Sequence, residues 1–132
     1  MQAIQEVLMN KCTIELWGRR FTLPLVYECC DGETILPQQR EALAILQQNQ
    51  AALDGSLEPV RKYVKKTGGG PDEAGLANIF RYVMPKTVFV PHSEKRLTAA
   101  ILCAYKPDME HGLAVIFENG RFRQVGPQDL VL

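Results

Sequence analysis

The chain has 132 residues, of which 46% are hydrophobic and 23% charged, and its formal net charge is zero. That length supports one core, hence a single domain over residues 1–132, without metal or disulfide staples. Balanced charge excludes a global field for nucleic acid or an anionic membrane, and no apolar run reaches the roughly 20 residues that span a bilayer. The start, MQAIQEVLMNKC, lacks the basic residues and apolar core of a signal peptide, so a cytoplasmic location is expected.

Residues 1–9 carry a poor signal, a short helix or a loose arm. From Cys12 the pattern alternates, with Cys12, Ile14 and Leu16 on one face, and it resumes with Phe21, Leu23, Leu25 and Tyr27. Trp17-Gly18-Arg19-Arg20 supplies the turn of a β-hairpin, with Trp17 as a lid on the core. Pro24 has no amide donor, which favours an edge strand or a bulge. Cys30 to Thr34 reads as a turn.

A helix is expected from Pro37, amphipathic through Leu43, Leu46, Gln50 and Leu53, with Gln38, Gln39, Gln47 and Gln48 on the polar side. Asp54-Gly55-Ser56 ends it, and Ser56 is placed to cap a second helix carrying Leu57, Val60 and Val64. Arg61, Lys62, Lys65 and Lys66 near its end suit the helix macrodipole, which explains them without nucleic acid. Gly68-Gly69-Gly70 is a loop; it has neither the preceding strand nor the GK[ST] ending of a phosphate loop. Asp72 would cap a third helix through Leu76, Ile79, Phe80 and Val83, stopped by Pro85.

Lys86 to Val90 then reads as a short strand. Leu97 to Tyr105 and Leu113 to Phe117 are apolar runs that fit strands covered on both faces. Asn119-Gly120 fits a two-residue type I′ turn into the last strand, on which Arg121 and Arg123 make a basic stripe that guards an edge. The pattern predicts an α+β fold: one mainly antiparallel sheet of about six strands, with three helices between strands two and three, in the order ββαααββββ.

The chemistry-bearing residues are few. Cys12 and Cys103 stand in apolar strand surroundings and read as buried thiols; no CxxC pair is present, so no metal or redox site and no cofactor is expected. Asp108, Glu110 and His111 are the local cluster of carboxylates and imidazole. They could act as base and orienter or bind a divalent metal, although an exposed turn capped by its own carboxylates explains them as well. His92 is read as a loop residue. No serine or cysteine lies in a nucleophile motif.

Glu110-His111-Gly112-Leu113-x-Val115-x-Phe117, followed by Val125-Gly126-x-Gln128-Asp129, resembles the C-terminal signature of a small bacterial family classed as a domain of unknown function. The likeness extends upstream to the N-terminal hairpin, to Gln39–Leu43 and to the segment from Ile79 to Val90. The chain departs where that family carries a Trp-Asp pair; here the place reads Tyr105-Lys106-Pro107-Asp108. The resemblance implies no catalytic residues and points by analogy to immunity or partner-binding proteins. The expectation is therefore a non-enzymatic protein-binding domain, in its specific form an immunity protein that neutralises a bacterial toxin. The rival is a small metal-dependent or acid/base hydrolase using Asp108, Glu110 and His111.

Overall fold

The computed structural model describes residues 11–29, 34–70, 76–93 and 95–132. Period-two alternation builds the first hairpin: in β1 (Lys11–Leu16) every second residue is buried, and β2 (Arg19–Tyr27) pairs with it from Lys11↔Pro24 to Leu16↔Arg19. β3 (Val83–Val90), β4 (Thr98–Tyr105), β5 (Leu113–Glu118) and β6 (Arg121–Gly126) follow, and the six strands form one sheet in chain order. The expected α+β class holds, and β4, β5 and β6 are antiparallel neighbours as anticipated.

The sheet is mixed, however. β2 runs parallel to β3, pairing Leu25↔Val88, Val26↔Phe89 and Tyr27↔Val90. A parallel neighbour requires a crossover of roughly a dozen residues or more, and the helical segment between β2 and β3 provides it. β2 lies between β1 and β3 and so is not an edge strand; Pro24 pairs with Lys11 and directly precedes Leu25, where the pairing with β3 is seen. Pro85 also sits in a strand, beside a register shift between Pro85 and Thr87. A proline cannot donate to the ladder, which suits Pro85 beside its register shift.

The helices divide the chain differently from the pattern. α1 (Pro37–Gln47) and α3 (Leu57–Thr67) have eleven residues each, and between them α2 (Gln50–Gly55) is a six-residue turn of helix. The expected single helix through Leu53 is cut at Asn49, whose backbone leaves the helical region and whose side-chain oxygen accepts from Ala52 N–H, capping α2. Ser56 makes no side-chain cap for α3. Its hydroxyl donates to Leu53 O at 2.6 Å and accepts from Trp17 Nε1 at 3.0 Å, so it joins the hairpin to the helices instead. That bond helps hold Trp17, which sits in the turn at φ 53° and is buried.

The third helix is corrected too. Asp72 lies outside the described residues; Leu76 and Ala77 are helical, Ile79–Arg81 is a single 3₁₀ turn, and Val83 already opens β3. Asn78, at φ −108° and ψ 84°, interrupts the stripe. The readings of residues 1–9 and of Cys30 to Glu33 also fall outside the described residues.

The helices cover one face of the sheet. Leu43, Leu46 and Leu53 join Val60, Val64, Ile101, Val115 and Phe117 in the main core. A fully buried aliphatic side chain contributes about 1.5–3 kcal/mol, so this cluster is where the hydrophobic driving force is concentrated. The other face carries a smaller cluster of Phe89, Ala100, Leu102, Ala114 and Ile116, with Val26 and Val131 against it. Both faces of β4 and β5 are thereby buried, as their unbroken apolar runs require.

Candidate functional site

β4 delivers the chain to the loop that holds the expected site residues. Tyr105, the last residue of β4, is buried, with its hydroxyl 2.6 Å from Thr67 Oγ1 and its ring 5.8 Å from that of Tyr63. Lys106–Asp108 then forms a 3₁₀ turn anchored by Lys106 N–H to Tyr82 O at 2.8 Å. Met109, Glu110 and His111 close the loop, and Gly112 leads into β5.

Two of the three candidates meet. Asp108 Oδ2 lies 3.0 Å from His111 Nδ1, and Asp108 Oδ1 also accepts from the His111 backbone N–H at 3.3 Å. A carboxylate three residues before an imidazole closes a local ring that serves the turn as well as the side chain. The hydrogen bond that His111 donates to Asp108, followed by the Asp108 charge, raises the His111 pKa above its ordinary 6.5; Glu110 and Asp129 add smaller pulls in the same direction. Glu110 itself is exposed, and it does not join the pair in a hydrogen bond. Both members of the pair are about half exposed, at 55% for the His111 side chain and 48% for Asp108. Clefts of the described surface lie beside α3, at the β5–β6 turn and between β1 and α2. Among the described residues no group of three or more His, Cys, Asp or Glu side chains is placed to hold a metal.

The loop is tied to the C-terminal turn Gln128–Leu130. Gln128 donates its backbone N–H to His111 O and its side-chain Nε2 to Cys103 O, both at 3.0 Å. Gly112 makes room for this: it stands at φ +62°, and a Cβ there would lie 2.5 Å from Gln128 Nε2 and 3.1 Å from Cys103 O. The stretches Glu110–Leu113 and Val125–Asp129 are therefore one assembly in space, with Gln128 as its pin. Gln128 stands in the quoted C-terminal signature, but its role as the pin is not legible there, since its side-chain partner lies 25 positions away.

The remaining candidates fall apart. Cys12 and Cys103 are buried, and burial raises both thiol pKa values, which keeps the sulfurs protonated and inert. His92 is in the loop after β3, where its N–H donates to Glu28 Oε1 at 3.0 Å. Arg121 and Arg123 are exposed on β6, at the edge of the sheet, with Arg123 paired to Glu118 at 2.7 Å.

No curated protein and no solved structure matches the chain. A domain of unknown function, DUF6985, matches residues 4–132, and the chain therefore belongs to that family.

Proposed function

We propose that this is a non-enzymatic protein-binding domain and, in its specific form, an immunity protein that neutralises a toxin by occupying it. One observation supports the reading. Among the described residues the large apolar side chains left exposed are Met109, Leu130 and Leu132, at 68%, 47% and 65%. They belong to the β4–β5 loop and the C-terminal turn, the two segments that Gln128 pins together. Apolar anchors with a charged rim, here Asp108, Glu110 and His111, are the ordinary composition of a contact surface.

The test is calorimetric titration against the product of the neighbouring gene, with Met109→Asp/Leu130→Asp as the variant. Loss of about tenfold or more in affinity, at an unchanged melting temperature, is expected if these side chains are anchors. A complex indifferent to the substitutions, or no complex at all, removes the surface.

The hydrolase reading draws on the contact between Asp108 and His111, because a carboxylate that orients an imidazole is the start of acid/base machinery. It further requires a cleft and a third polar group within reach. Turnover of a chromogenic ester that disappears in His111→Ala would favour it over the binding domain.

A further inference from the structure

One side of α3 carries more charge than its fold requires. A cleft of about 400 Å³ opens there, lined by Glu58, Arg61, Lys62 and Lys65 from α3 and by Leu76 and Ala77 from the segment facing it. Arg61 is committed to the wall: its Nε donates to Leu76 O at 3.2 Å and its NH1 pairs with Glu58. Lys62 and Lys65 are exposed, one helical turn apart, and among the described residues neither enters a hydrogen bond or an ion pair. The macrodipole accounts for cations in the last turn of α3, where Lys65 and Lys66 stand, but Lys62 lies before that turn. Nor does it account for a cleft beside them with an apolar floor.

We infer that this cleft receives an acidic segment of a partner protein, its carboxylates on Lys62 and Lys65 and an apolar side chain against Leu76 and Ala77. Among the described residues, three cations stand against one carboxylate in the cleft, in a chain whose net charge is zero. Attraction is therefore local and suits a short run of carboxylates better than a long polyanion. Nucleic acid is disfavoured by the same lining, which among the described residues offers no aromatic side chain on which a base could stack. The inference stands on this cleft alone and does not rest on the apolar sheet end.

The experiment uses the full chain and a fluorescein-labelled peptide of alternating glutamate and leucine, followed by anisotropy at low and at physiological salt. Controls are the glutamine–leucine counterpart, a single-stranded oligothymidylate and the variants Lys62→Glu/Lys65→Glu and Met109→Asp/Leu130→Asp. Expected are saturable binding of the acidic peptide that weakens with salt, a loss of about tenfold or more in Lys62→Glu/Lys65→Glu, and no change in Met109→Asp/Leu130→Asp. The substituted lysines are exposed, so an unchanged melting temperature certifies the fold. Absence of binding at low salt overturns the inference. So does binding that survives the charge reversal, or an oligothymidylate that binds as tightly as the peptide.

Discussion

His111 and Asp108 form a pair whose protonation can be read one residue at a time. The folded chain holds the imidazole proton more tightly than the ordinary 6.5, chiefly through the hydrogen bond to Asp108 and then its charge. A histidine whose folded pKa is raised contributes stability that is fully present below the unfolded value and lost as pH rises through the folded one. The loss thus begins near pH 6.5 and is complete above the raised folded value. Asp108→Asn should return the His111 midpoint toward 6.5 in a proton NMR titration, and should flatten the fall in melting temperature across that window. A midpoint that stays put would show that Asp108 is not what holds the proton. The cluster was legible in the sequence as Asp108, Glu110 and His111. Choosing Asp108 over Glu110 was not, because the choice depends on how the 3₁₀ turn Lys106–Asp108 aims the chain.

The β5–β6 hairpin is the element whose chemistry the sequence states most directly. Asn119 and Gly120 both have positive φ, 55° and 74°, as a type I′ turn demands. The turn also meets the helix layer. Asn49 Nδ2 donates to Gly120 O at 2.7 Å, and a Cβ at Gly120 would stand 2.3 Å from Ile45 Cγ2. Gly120→Val therefore combines backbone strain with a clash against α1. The expected loss is about 2–6 kcal/mol, the sum of a strained φ and an overpacked contact. Urea denaturation measures it; an unmoved midpoint would mean that the turn and Ile45 both yield at no cost. The turn type follows from two adjacent residues, whereas its contact with Ile45 depends on where α1 lies over the sheet.

At the scale of the molecule, the helix layer is joined to the parallel seam of the sheet by one buried amide. Gln39 is 1% exposed; its Nε2 donates to Glu28 O at 2.9 Å and Val90 O at 3.1 Å, and its Oε1 accepts from Leu36 N–H at 2.8 Å. Val90 O also accepts from Glu28 N–H, so removing the amide orphans chiefly Glu28 O and Leu36 N–H. Gln39→Leu should cost about 2–4 kcal/mol for two unsatisfied backbone groups. Its neighbour Gln38 is the contrast, for its Oε1 is buried without a partner among the described residues. Gln38→Leu should be neutral or stabilising. Denaturant midpoints for the two variants check both outcomes, and similar losses in both would mean that the Gln39 bridge is not what ties α1 to the seam.

Helical spacing puts both glutamines on the polar side of the helix. Such spacing reports which side of a helix is apolar; it does not report that a strand end with accepting carbonyls will lie under one amide. The same division runs through the chain. Alternation at Cys12, Ile14 and Leu16, the apolar runs of β4 and β5, and the pair Asn119-Gly120 determined the strands, the hairpin and the α+β class. Those signals are local: side-chain direction along a strand and φ preference in a turn act over a few residues. Tertiary structure alone decided the parallel pairing of β2 with β3, the cut at Asn49, the end of the helical stripe at Asn78, and Gln128 as the pin between two loops. Gln39 reaches Val90 across 51 positions and Asn49 reaches Gly120 across 71. A buried polar group must find its partner wherever the packed chain places one, and that search is settled only when the layers meet.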